Sequence, residues 1–163
     1  MKEKICCFTG HRHIPFEYAR ALAVALDAEI EARIADGYTV FRAGGAYGFD
    51  TLAALRVILK KRKYGFIRLE LCLPCKNQTA YWGKSDIDIY NMILANADDV
   101  RYVGEKYTSN CMMARNRMLV DGSDCCVGFC IPTAGRGGSR YTLNYAARQG
   151  VEVKNLFNYL DRF

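Results

Sequence analysis

Four short runs of this chain carry residue types that could do chemistry. In TGHRHIP, residues 9–15, Thr9 offers a hydroxyl, Gly10 lets the backbone turn sharply and Arg12 can take an anion through a bidentate fork. His11 alone would favour a structural role; the Thr-Gly-His-Arg cluster shifts the reading toward a site. In FRAGGAYGFD, residues 41–50, Gly44, Gly45 and Gly48 precede Asp50. This run is either a tight turn or a loop whose bare backbone meets a ligand. It is neither G-x-G-x-x-G nor a phosphate loop ending in Gly-Lys-Ser/Thr. Asp50 could cap the amides of Leu52 or Ala53 or accept a hydrogen bond from a ribose hydroxyl. In LPCKNQTAYW, residues 73–82, Gln78 and the sole tryptophan, Trp82, stand with Lys76, Asn77 and Tyr81. Amides beside aromatic faces suit a nucleobase, but on these residues alone a loop that packs Tyr81 and Trp82 onto the domain edge is the favoured reading. In PTAGRGGSRYT, residues 132–142, Gly135, Gly137 and Gly138 lead into Ser139 and Thr142, with Arg136 and Arg140 nearby. Bare amides, hydroxyls and arginines at a helix start make a phosphate cradle.

The cysteines point elsewhere. Eight of them in a chain with no apolar run long enough to span a membrane and no signal peptide suggest reduced thiols and a cytoplasmic location. Cys6, Cys7, Cys125, Cys126 and Cys130 fall in or beside apolar runs, where cysteine behaves as a small hydrophobe. Cys72 and Cys75 form a C-x-x-C, but no second pair accompanies them and no helix clearly opens after them. The expectation is neither zinc nor a functional disulfide. The net charge of +6 permits an anionic ligand without demanding nucleic acid. The one dense basic run, Lys60 to Lys63, falls where a helix should end, and cations complement a helix dipole there.

The elements that must position these runs alternate along the whole chain. Strands are expected at 5–9, 38–43, 67–73, 99–103, 125–131 and 151–155, and helices at 15–35, 49–63, 86–97, 111–121 and 139–149. The first helix carries Ala19, Leu22, Ala23, Leu26, Ile30 and Ile34 at helical spacing, and the second places Leu52, Leu55, Ile58 and Leu59 on one side. With 163 residues and no linker or repeat, this predicts one α/β domain over residues 1–163, with a mostly parallel sheet between helical layers. Ligands of such sheets bind beyond the carboxyl ends of the strands, where all four runs lie. Two glycine-rich strand-to-helix loops on one sheet edge favour the ligand-loop reading of residues 44–50.

Taken in order, TGHR, GGAYGFD, the LP run with Gln78 and Trp82, RNRMLVDGSD and GGSRYT resemble the YpsA-like family of the SLOG superfamily, bacterial relatives of the DNA-processing protein DprA (Smf) and the LOG phosphoribohydrolases. The resemblance covers nearly the whole chain. It implies a Rossmann-like three-layer sandwich, a nucleotide or nucleotide-derived ligand, and a possible homodimer. The residues it marks for ligand binding are Thr9, Gly10, Arg12, Gly44, Gly45, Gly48, Asp50, Gln78, Trp82, Arg115, Gly137, Gly138, Ser139 and Thr142. Arg115 and the Ser123-Asp124 pair look like a LOG segment, and Asp50 and Arg115 are the candidates if catalysis occurs. The departure lies after the glycines. Where LOG enzymes place a catalytic glutamate, Thr142 is followed by Leu143, Asn144 and Tyr145. A sensor or adaptor is therefore expected rather than an enzyme. The alternatives are a LOG-like hydrolase of nucleoside phosphates and a DprA-like protein associated with DNA, for which the chain has only one short basic cluster.

Overall fold

The computed structural model describes residues 2–134 and 137–162, with main chain only at Arg162. The elements run β1 (Lys4–Gly10), α1 (Phe16–Ala35), β2 (Tyr38–Ala43), α2 (Phe49–Lys63), β3 (Arg68–Cys75), α3 (Lys84–Asn96), β4 (Asp99–Gly104), α4 (Cys111–Val120), β5 (Cys125–Phe129), α5 (Gly138–Arg148) and β6 (Glu152–Asn155), followed by a 3₁₀ helix, Leu156–Arg162. All strand pairs are parallel, in the order β4-β3-β2-β1-β5-β6. The chain steps outward from β1 to β4, then returns to the other side of β1. The order reverses between β1 and β5, which opens a crevice at their carboxyl ends.

Central strands buried on both faces read as continuous apolar runs. Cys6, Cys7 and Phe8 in β1 and Cys125, Cys126 and Val127 in β5 are fully buried. Alternation along the strands then divides the core. Phe8, Leu69, Leu71, Leu73, Val127 and Phe129 pack with α1, α2, α3 and the 3₁₀ helix. Cys7, Cys72 and Cys126 face the other way and pack under Leu119, Val120, Leu143 and Ala146 of α4 and α5. The result is a three-layer Rossmann-like sandwich.

Three details differ from the sequence expectation. First, α2 buries Phe49, Asp50, Ala53, Ala54, Val57 and Ile58, not the Leu52–Leu55–Leu59 side. Small residues bring the helix close to the sheet, Leu52 and Leu55 are only partly buried, and Leu59 is exposed. Second, β3 continues through Pro74 to Cys75. Its pairing with β2 ends at Leu71, so the missing proline N–H costs no bond on that side. Third, the basic run at the end of α2, expected only to complement the helix dipole, is also ion-paired: Lys60 pairs with Asp27 and Glu31, Lys61 with Asp98, and Lys63 with Glu31.

The amino edge of the sheet is tied by one device used twice. The carboxylate of Asp124 accepts the N–H of Ile5 at 2.8 Å while its own N–H donates to the Ile5 carbonyl. Asp98 does the same with Leu69. Ser123 donates to the Leu119 carbonyl at 2.6 Å and accepts from Arg42. The Ser-Asp pair therefore sits at the edge opposite the crevice, and there it holds strands together.

Candidate functional site

The site is built from the turn after β1. The Cγ of Phe49 lies 2.4 Å from where a Gly10 Cβ would stand, so Gly10 is what lets this fully buried ring fit. The same ring stacks on Phe129 at 6.3 Å and meets Phe8 edge-on, so the turn is anchored on a buried aromatic cluster. His11 then ties three segments. Its N–H donates to the Phe129 carbonyl and its carbonyl accepts from Phe49 N at the start of α2. Its Nε2 accepts the N–H of Ile131 at 2.8 Å, and its Nδ1 lies 3.2 Å from Ser139 Oγ. Because Nε2 accepts, the ring is neutral with the proton on Nδ1, which donates to Ser139. Burial and the nearby Arg140 charge hold its pKa below the ordinary value, consistent with that form. The Ser139 hydroxyl keeps its own proton to donate.

Beside this turn lies a cavity of about 430 Å³. Thr9, Gly10, His11 and Arg12 line it from the first loop, and Ala46 and Asp50 from the second. Met112, Met113, Arg115, Asn116 and Leu119 come from α4, and Gly137, Gly138 and Ser139 from the start of α5. Arg115 is only 4 % exposed; its Nη1 donates to the Gly44 carbonyl and its Nε to Asn116 Oδ1 at 3.0 Å. Its Nη2 makes no protein hydrogen bond among the described residues, and the same holds for Asn116 Nδ2. Arg12 is exposed and unbonded to protein side chains or carbonyls among those residues. Among the described residues no side chain caps α5, whose first amides open on the cavity beside Gly137 and Gly138.

Asp50 faces Arg115 across Gly44. A Cβ on that glycine would lie 2.8 Å from both Arg115 Nη1 and Asp50 Oδ2. Burial pushes the Asp50 carboxyl above its ordinary pKa, against the opposing pull of Arg115, the Ala46 N–H and Arg12. Burial also lowers the Arg115 guanidinium, with Asp50 working against it. Asp50 Oδ2 accepts the Ala46 N–H at 3.2 Å, which closes the loop on its own helix start rather than capping Leu52 or Ala53.

Of the expected site residues, Thr9, Gly10, Arg12, Asp50, Arg115, Gly137, Gly138 and Ser139 line this cavity. Gly44, Gly45 and Gly48 do not. Protein already occupies the space a side chain would take: the Arg115–Asp50 pair at Gly44, Leu73 at Gly45, and the His11 and Arg12 carbonyls at Gly48. Gly45 and Gly48 also have φ of +78° and +83°. These glycines fit loops against one another. Thr142 is fully buried and bonds back to the Gly138 carbonyl at 2.7 Å, away from the cavity. Gly135 and Arg136 lie outside the described residues. Gln78 and Trp82 line an adjoining pocket instead. His11 is only weakly signalled by the sequence; Asn116 falls inside the RNRMLVDGSD run without being singled out, and Met112 and Met113 are not signalled, since apolar residues on a helix read as ordinary core.

The cysteines are all buried and free. Cys72 sits under α4 and α5, where burial pushes its thiol up to about 11. Cys75 is also raised, by burial first and then by the neighbouring Cys111. Among the described residues no cluster of three or more His, Cys, Asp or Glu could hold a metal, and no helix is long and apolar enough to cross a membrane.

Fold and crevice together define a Rossmann-like α/β protein with a polar cavity at its switch point. The chain belongs to the YspA SLOG family, whose model matches residues 6–160. It is similar to the uncharacterized SPbeta prophage-derived protein YoqJ of Bacillus subtilis (strain 168), 29% identical over 120 residues, which span 66% of this chain and 69% of that one. Its fold is similar to the X-ray structure of TM1055, a structural-genomics target, with a TM-score of 0.57 and 18% identity over 92% of this chain and 72% of the other.

Proposed function

We propose that this protein binds a nucleotide or nucleotide-derived ligand through its phosphate, as a sensor or adaptor rather than a catalyst. The observation that supports this reading is the set of uncommitted donors around one cavity: the Arg12 guanidinium, Arg115 Nη2, Asn116 Nδ2, the Ser139 hydroxyl and the open start of α5. Backbone amides at a helix start, two guanidinium groups and a hydroxyl complement a phosphate. Arg12 is the clean probe, because removing it disturbs no protein hydrogen bond among the described residues. Arg12→Ala should weaken binding of nucleoside monophosphates by about 1.5–3 kcal/mol and leave the melting temperature of the free protein unchanged. Calorimetric titration of both proteins checks this. Absence of saturable binding at millimolar nucleotide, or equal affinity in the variant, would refute it.

A second reading, hydrolysis of an N-glycosidic bond, rests on Asp50 as the carboxylate among the lining residues. The residues that replace the LOG glutamate do not serve it. Leu143 is buried, Asn144 faces a separate surface hollow with Arg140 and Cys130, and the Tyr145 hydroxyl donates to Asp121. The expected result is no free base released from nucleoside monophosphates. Turnover that disappears in Asp50→Asn, which can still accept the Ala46 N–H, would replace the binding reading with a catalytic one.

A further inference from the structure

Beside the polar cavity lies a second pocket of about 180 Å³, sharing Arg12, Ala46 and Met112 with it. Its character is different. Trp82 and Tyr47 stand edge-to-face at 4.8 Å, and Trp82 meets Tyr90 at 5.5 Å, so the indole is held from two sides. Tyr81 and Tyr107, both exposed, stand at the rim without an aromatic partner among the described residues. Within this apolar wall the Gln78 side-chain oxygen is buried with no hydrogen-bond partner. Its neighbour Asn77 is engaged, accepting the Tyr107 N–H at 3.2 Å, while the Gln78 amide bonds to nothing in the protein among the described residues.

A buried polar group left unpaired is destabilising, and each such group calls for a reason. Rotation of the terminal torsion, which is broad for glutamine, can turn either the carbonyl or the amino group into the pocket. A carboxamide free at both ends matches the adjacent donor and acceptor on the edge of a nucleobase. Fixed and rim aromatics match its faces. The pocket is too small to hold a whole ligand of ordinary size, and Arg12 connects it to the phosphate cavity. Resting on the phosphate-binding reading above, we propose that the ligand carries a nucleobase, seated in this second pocket against Trp82 and Tyr47 with its edge hydrogen-bonded to Gln78, so that the bound molecule spans both cavities across Arg12.

Ribose 5-phosphate and the four common nucleoside 5′-monophosphates separate the two readings, because they share the phosphate and differ in the base. At least one nucleotide should bind tenfold or more tightly than ribose 5-phosphate. Trp82 is the sole tryptophan, so its emission should be quenched saturably by that nucleotide and left unchanged by ribose 5-phosphate. Gln78→Met keeps the shape and removes the unpaired amide. It should cut nucleotide affinity about three- to tenfold, leave ribose 5-phosphate affinity unchanged, and not lower the melting temperature of the free protein. Binding that depends on Arg12 but is equal for both classes, gives no quenching and ignores Gln78→Met would overturn the base pocket while keeping the phosphate reading. Failure of every compound to bind would remove both.

Discussion

His11 shows how one side chain can set the shape of a site. It accepts a backbone N–H through Nε2, so only the neutral ring fits, and its pKa is lowered by burial and by Arg140. A base whose pKa is lower in the folded state than its ordinary value of 6.5 gives full stability above that value. As pH falls below 6.5 the unfolded chain takes up the proton first, and stability declines until the folded pKa is passed. Urea unfolding at a series of pH values should therefore show a steeper loss between pH 7 and 5 in the parent protein than in His11→Asn. Equal slopes would mean that the ring titrates alike in both states. Arg115 acts differently. It is committed to Gly44 and Asn116 and balanced by Asp50, so Arg115→Ala would disturb the loop as well as any ligand.

At the scale of elements, the glycines divide by what surrounds them. At Gly48, φ is +83° and an added Cβ would fall 2.2 Å from the Arg12 carbonyl oxygen, a backbone atom that is not free to move aside. Gly48→Ala should cost about 2–4 kcal/mol, because it separates the start of α2 from the β1 loop. Gly137 has extended backbone with nothing within 4 Å of its would-be Cβ. Gly137→Ala should stay within about 0.5 kcal/mol of the parent. Denaturant midpoints of the two variants check the contrast; similar losses would contradict the division. The same contrast explains what was legible in the sequence. Periodicity and turn chemistry gave the strands, the helices and the sheet edge that carries the loops, because those signals are local. What a bare glycine face touches is a long-range fact: the 44–50 loop reaches the cavity through Ala46 and Asp50, while Leu73, Arg115 and the His11–Arg12 backbone, which no local pattern shows, fill the space beside Gly44, Gly45 and Gly48. The clamp of α1 onto the edge strand is equally non-local. Arg33 reaches Glu29 at 2.8 Å and Glu152 at 2.5 Å, while Lys154 reaches Glu29 at 2.7 Å. No pattern in the first helix announces a partner in the last strand.

Across the whole molecule the two edges of the sheet are built for different ends. The amino edge is closed: Asp98 and Asp124 bind both the amide and the carbonyl of a neighbouring strand start, Lys61 pairs with Asp98, and Arg42 holds the Asp121 carbonyl and Glu70. The carboxyl edge keeps donors unspent and carries both pockets. A ligand bound there stabilises the folded state by mass action, yet amides that exchange by local opening respond only where the ligand or its loops restrain them. A saturating nucleoside monophosphate should therefore slow hydrogen exchange in residues 9–13, 44–50, 76–82, 112–117 and 137–140. Residues 35–38, 65–69, 96–100 and 121–125, at the amino edge, should exchange at their free rates wherever they exchange by local opening. Peptide-level exchange followed by mass spectrometry, with ribose 5-phosphate as the second ligand, reads both proposals at once. The shorter ligand should protect the first, second, fourth and fifth of those carboxyl-edge segments and leave residues 76–82 unprotected. Protection centred on the amino edge would place the ligand somewhere other than the switch-point crevice, and equal protection of residues 76–82 by both ligands would remove the nucleobase from the second pocket.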